Sequence, residues 1–307
     1  MGTEANDLQG SAWLDISTEA RNGRTVDLDQ RTTLEILEAL NDEDAVAPAA
    51  VREVLAELAR LVDAAAESIR NGGRVHYFGA GTSGRLGVLD AAELGPTFNL
   101  PNDVVIAHHA GGARALIEAV ENVEDSWEAG ADEAADVQPG DIVVGIAASG
   151  RTPYVEGALR AGRERGAVTA LITCVSSPRI GPLADYVLAA VTGPEALAGS
   201  TRLKAGTAQK LMLNGFSTAL MIKLGKVWSN LMVSVVATNE KLRARTVRIL
   251  MEATDETQVR CDAALQSAGG DLKVALTVLL SGATPEQARH ALAAAGDVRN
   301  ALSELDR

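Results

Sequence analysis

The chain alternates short apolar runs with helical stretches, and this alternation constrains it more than any other feature. The runs at 74–78, 103–108, 141–147, 168–173 and 186–191 have the length of strands and are bounded by polar or glycine-containing turns. Helical stretches at 112–121, 126–135 and 153–165 lie between them. Such alternation predicts an α/β fold, a parallel sheet covered by helices on both faces. Upstream, 31–45 and 48–71 read as helices, the second with Pro48 near its start and Gly72-Gly73 after its end. Beyond Thr192 the pattern changes. Residues 203–237 and 239–253 read as helical, with no further strand expected. Four short helical pieces follow at 255–267, 271–280, 285–294 and 297–304, separated by Gly269-Gly270, Gly282 and Gly296. The expected organisation is an N-terminal arm and helix at 1–47, an α/β domain at 48–253 and a small all-helical subdomain at 254–307.

Composition narrows the class. With 307 residues and 47% hydrophobic side chains, the chain can bury a sizeable core. Its 41 acidic against 28 basic residues give a net charge of −13, which argues against nucleic acid or an anionic membrane as partner. Aromatic residues are 3%, too few for a sugar-stacking platform. Cys174 and Cys261 lie far apart, so a disulfide framework or zinc site is not expected. The start MGTEANDLQG lacks the features of a signal peptide. The long apolar region Leu211 to Ala237 is interrupted by Lys223 and Lys226 and reads as a buried helix. A reducing, cytoplasmic compartment is the expectation.

Two strand-to-helix loops carry candidate chemistry. Gly79-Ala80-Gly81-Thr82-Ser83-Gly84 fits a dinucleotide glycine pattern. The ribose-holding acid is missing, because the next strand ends in His108-His109. Thr82 and Ser83 instead suit a phosphate at a helix N-terminus. The second loop, Ala148-Ser149-Gly150-Arg151-Thr152-Pro153, repeats the design with two hydroxyls and a cation. Two such loops after parallel strands suggest convergence on one anion. A third cluster, Gly199-Ser200-Thr201-Arg202-Leu203-Lys204, enters an apolar helix, either closing a pocket or capping the helix. The stretch Ser17 to Thr25 is densely polar, and composition favours a solvated arm. Glu93 and Glu124 are candidate proton-transfer groups, though in a chain with 41 acids each reads more readily as a solvated surface acid. The four histidines, His76, His108, His109 and His290, show no metal-ligand spacing.

The segments TEARNGRTVDLD (18–29), GAGTSGRLGVLDAAELGPTF (79–98), GDIVVGIAASGRTPYV (140–155) and GSTRLKAGTAQKLMLN (199–214) resemble the N-acetylmuramic acid 6-phosphate etherase family, built on a sugar isomerase (SIS) domain. The resemblance implies an SIS-type parallel sheet and a lyase that cleaves the D-lactyl ether by elimination and water addition, without metal or cofactor. It implies Glu93 as donor to the ether oxygen and Glu124 as second acid/base group. Thr82, Ser83, Ser149 and Thr152, with Gly81, Gly150, Arg151, Ser200 and Lys204, would hold the sugar phosphate, and Glu19, Asn22 and Arg24 of the arm would contribute. Glu93 follows Ser83 by ten residues, about 15 Å of helical rise. Either the helix bends near Gly87, or Glu93 serves a site completed by a second subunit. A homodimer is therefore expected. The rival expectation is a non-catalytic sugar-phosphate sensor of the glucokinase-regulatory type, whose members are longer.

Overall fold

The computed structural model describes residues 18–118, 120, 122–237 and 240–306. They form two compact units, residues 18–91 with 103–216, and residues 92–102 with 217–306. The second unit thus begins well before residue 254 and takes in the end of an earlier helix.

In the first unit, Thr33–Asp44 (α1) starts in a capping box, Thr32 and Glu35 bonding each other's backbone N–H. The helix expected at 48–71 is two, Val46–Arg52 (α2) and Leu55–Arg70 (α3). Then come Val75–Gly79 (β1), Gly81–Phe98 (α4), Val105–His109 (β2), Arg114–Ile117 (α5), Trp127–Glu133 (α6), Ile142–Ile146 (β3), Pro153–Glu164 (α7), Val168–Thr173 (β4), Tyr186–Ala189 (β5) and Lys204–Lys223 (α8). All five expected strands are present and pair in parallel in the order β2-β1-β3-β4-β5. Every residue of β1 and β3 is buried, while the edge strands β2 and β5 are partly exposed. That is the pattern of a parallel sheet covered on both faces.

Alternation along β1 assigns the faces. Tyr77 points to α4 and α8, meeting Phe216 edge-on with ring centroids 6.2 Å apart. Its hydroxyl donates to Asp90 of α4, which also accepts from Asn214 of α8. Phe78 points the other way, towards Tyr154 of α7. On that face α6 and α7 touch backbone to backbone. A Cβ on Gly130 would sit 1.9 Å from the Tyr154 carbonyl oxygen, and one on Gly157 1.8 Å from that of Trp127.

Helix α8 stops at Lys223, short of the expected 237. Gly225, at φ 68°, lets the Gly225 and Lys226 N–H groups reach back to the Ile222 and Met221 carbonyls. This C-terminal motif satisfies the helix end and turns the chain. The second unit then adds a hairpin that was not expected, Val227–Trp228 (β6) with Leu231–Met232 (β7), turning at Ser229 with φ 53°. Glu240–Thr254 (α9), Gln258–Ser267 (α10), Leu272–Ser281 (α11), Pro285–Ala295 (α12) and Val298–Leu305 (α13) follow as read from the sequence. Ile249, Leu250, Cys261, Leu272, Ala275, Leu276 and Ala288 form its core. Both cysteines are free and buried. Among the described residues, no helix is long and apolar enough to cross a membrane.

Candidate functional site

β1 lies between β2 and β3, so successive connections leave it in opposite directions. A crevice opens at such a switch point, beyond the carboxyl ends of the strands. Gly79 at the end of β1 is paired in register with Ile146 at the end of β3. The two loops singled out in the sequence therefore leave the sheet side by side.

The first loop is short because glycine allows the helix to press on the strand. A Cβ on Gly84 would sit 2.4 Å from the Gly79 carbonyl oxygen and 2.6 Å from the His109 ring. The buried His109 ring faces the carbonyls of Gly81 at 3.2 Å and Ala110 at 2.8 Å, pinning the loop to the end of β2. Thr82 and Ser83 are half-buried on the first turn of α4. Ser83 Oγ donates to Gln209 Oε1 on α8 at 3.0 Å. A Cβ on Gly206 would lie 3.6 Å from Thr82, so the opening turns of α8 pack on this cradle.

The second loop is fixed by its backbone. The Ala148 carbonyl accepts from the Cys174 N–H and the Thr173 hydroxyl, and the Gly150 carbonyl accepts from the Ile180 N–H. Gly150 has φ 62°, and a Cβ there would strike Pro178 at 2.3 Å. Thr152 holds the N-cap position of α7, with Pro153 opening the helix, but its hydroxyl makes no cap bond. The side chains of Ser149, Arg151 and Thr152 have no hydrogen-bond or ion-pair partner among the described residues, and all three are partly exposed. Two hydroxyls, a guanidinium and helix N–H groups can together receive a phosphate.

The third cluster has a different use for its lysine. Lys204 is 1% exposed, and its Nζ pairs with Glu43 Oε2 of α1 at 2.6 Å. Arg24 Nε holds the other oxygen of Glu43 at 2.6 Å. Arg24 and Lys204, with burial opposing them, pull the Glu43 carboxyl down to about 2. The buried Glu195 carboxylate accepts the Lys204 and Ala205 N–H groups and caps α8. Burial nonetheless pushes the Glu195 carboxyl up. Ser200 is partly exposed just before this helix.

Residues 18–25 of the arm are docked rather than solvated, a correction to the reading from composition; Ser17 and the residues before it lie outside the described residues. Thr18, Asn22 and Thr25 are buried. Asn22 donates to the Pro194 carbonyl and accepts the Arg24 N–H, while Thr25 donates to the Ala196 carbonyl. Glu19 is exposed, its carboxylate 2.9 Å from where a Cβ on Gly199 would be. Polar side chains matched to loop carbonyls make this segment part of the body.

Glu124 is exposed on a 3-10 turn, Val123–Asp125, that follows left-handed Asn122. It lines a cavity of about 400 Å³ with Ala80, Gly81, Arg85, His109 and Asn122. Arg85 of α4 holds the preceding segment by donating to the Ala115 and Leu116 carbonyls. Glu93 is exposed on α4, which runs unbroken through Gly87. That glycine is a packing position: a Cβ there would meet Ile146 at 3.1 Å and Tyr77 at 3.4 Å. Among the described residues no group of His, Cys, Asp and Glu is arranged to hold a metal. Sequence reasoning passed over Glu43, Glu195, Gln209 and Arg85. Glu43 and Glu195 had no local signal, and Arg85 was readable only as part of the 79–98 segment. Gln209 follows Lys204 on the same helix and was readable only as part of a longer motif.

Residues 57–163 match the family model described as the glucokinase regulatory protein N-terminal SIS domain. A relative named N-acetylmuramic acid 6-phosphate etherase, from Thermobifida fusca, is 55% identical over 264 residues, 86% of this chain and 87% of the relative. One of the same name from Yersinia pestis is 51% identical over 279 residues, 90% of this chain and 95% of the relative. Among solved structures, a phosphoheptose isomerase from Francisella tularensis superposes with a TM-score of 0.51 at 20% identity, covering 62% of this chain and 98% of that one. That likeness establishes the fold.

Proposed function

The chain belongs to the family of N-acetylmuramic acid 6-phosphate etherases, carbon–oxygen lyases on an SIS fold, and from that premise we propose how its own residues divide the work. The observation that carries the reading is the pair of strand-end cradles set side by side at the β1–β3 switch point. Thr82, Ser83, Ser149 and Thr152, the first N–H groups of α4 and α7, and Arg151 take the 6-phosphate, with Ser200 at the rim. The open-chain sugar then carries its aldehyde towards Glu124, in the cavity that also contains Gly81.

The aldehyde at C1 acidifies the C2 proton. A carboxylate removes it, the C3–oxygen bond breaks, and D-lactate leaves as its oxygen receives a proton. Water then adds across the C2–C3 double bond, its hydroxyl at C3 and its proton at C2, giving N-acetylglucosamine 6-phosphate. The sequence is redox-neutral and calls for one acid and one base. Glu93 is assigned the proton to the ether oxygen and Glu124 the second acid/base task. Glu93 is exposed on a helix whose N-terminus holds the phosphate, so we assign it to the site of a partner subunit in a homodimer. Lys204 and Arg24 act from behind, holding the arm through Glu43. Glu19 and Asn22 position the 194–199 loop. A cytoplasmic role in recycling cell-wall sugars suits this substrate.

A non-catalytic sensor is the lesser reading, because etherase relatives match most of this chain. Incubation with N-acetylmuramate 6-phosphate in heavy-oxygen water decides the matter. D-lactate should appear without label and the sugar should carry label at C3. Tight binding without lactate, or label in the lactate, overturns the proposal.

A further inference from the structure

Gln209 lies on the second turn of α8 and is wholly buried. Its Oε1 accepts the Ser83 hydroxyl, while its Nε2 has no hydrogen-bond partner among the described residues. An amide NH2 left bare in the interior is costly, more so than a bare carbonyl oxygen in the same place. A half-turn about the terminal side-chain bond exchanges the two atoms without moving anything else.

The exchange changes what Ser83 can offer. A serine hydroxyl has one proton and two acceptor sites. With Oε1 towards it, Ser83 gives that proton to Gln209 and turns only lone pairs to the cradle, which repel a phosphate dianion. With Nε2 towards it, Ser83 receives a hydrogen bond from the amide, and its own proton is released to a phosphate oxygen. A chain from N–H to O–H to phosphate then forms, each link polarising the next.

We propose that Gln209 is a positioning residue of the phosphate cradle. Its amide turns over when a sugar phosphate binds, and Nε2 then fixes Ser83 as a donor. Being enclosed, Gln209 acts through Ser83 without touching the ligand. The proposal rests on the reading of Ser83 as a phosphate ligand.

Gln209→Glu is the sharp variant, since a carboxylate of the same shape accepts but does not donate. Gln209→Met removes donor and acceptor without adding charge. Calorimetry with N-acetylglucosamine 6-phosphate gives affinity independently of turnover, and kinetics with N-acetylmuramate 6-phosphate separate KM from kcat. Affinity should fall in the order Gln, Met, Glu, by about tenfold or more for Glu, with the loss in KM rather than kcat. In a Ser83→Ala background both penalties should largely vanish. If Ser83→Ala itself leaves affinity unchanged, Ser83 is no phosphate ligand and the premise falls. If Ser83→Ala weakens binding but the Gln209 penalties are absent, or persist undiminished beside it, the premise stands and the role of Gln209 is overturned. Should Gln209→Glu not fold, the Met variant and its pairing with Ser83→Ala decide by the same criteria.

Discussion

Thr152 sits where a helix-capping hydroxyl belongs, yet it caps nothing. A threonine in that place ordinarily contributes about 1 kcal/mol to its helix. Here Thr152→Val should leave the urea unfolding free energy within about 0.5 kcal/mol of wild type, while KM for the sugar phosphate rises about tenfold. A large loss of stability with unchanged KM would make Thr152 a structural cap. Glu43 presents the opposite case. Glu43→Ala strands the buried Lys204 ammonium, and breaking such a pair costs about 3–5 kcal/mol, readable as a lower urea midpoint. The hydroxyl loops were legible in the sequence because strand, glycine turn and helix are consecutive there. The Glu43–Lys204 pair was not, since 161 positions separate the two residues and only the fold joins them. The docking of the arm was hidden for a related reason. Its buried polar groups bond to backbone carbonyls, which every sequence possesses.

At the scale of elements, the five strands and the C-terminal helices were legible because apolar runs and glycine stops are local signals. The end of α8 and the hairpin were missed because apolar residues continue past Gly225, and one glycine outweighed them. Helices α6 and α7 yield a direct test: Gly157→Ala should destabilise by about 1–3 kcal/mol or more, seen in denaturant melts, because the added carbon meets backbone. The β1–β2 pair yields another. His76 Nδ1 and His108 Nε2 are 3.1 Å apart, with Asp141 near His76 and Glu133 near His108. Burial holds both rings low, and His76 helps push His108 to about 4. The unfolded chain protonates them near their ordinary 6.5. Their contribution is therefore complete above about pH 6.5 and declines as pH falls towards 4. Glu43 adds a loss of the same sign between its ordinary 4.5 and about 2. Unfolding free energy should fall steadily below pH 6.5, and a flat profile down to pH 4 would contradict the histidine assignment.

For the whole molecule, the proposed dimer makes a quantitative claim. If each site joins Glu124 of one subunit to Glu93 of the other, Glu93→Gln and Glu124→Gln are each inactive alone. Mixed and allowed to exchange, they should recover about a quarter of wild-type activity, since half the dimers are mixed and one site in each is intact. No recovery would place both acids in one subunit. The acidic whole, with net charge −13, also makes binding of an anion depend on groups at the switch point, so affinity should respond to Arg151 more than to bulk salt.

The hydroxyls of Ser149 and Thr152 have no hydrogen-bond partner among the described residues. Any anion that satisfies them adds its binding free energy to the folded state alone, about 2.7 kcal/mol at a hundredfold excess over Kd. The melting curve of this protein is thus a ready-made assay. A plate of phosphorylated sugars, scanned for upward shifts in Tm, would rank its ligands before a single turnover is measured.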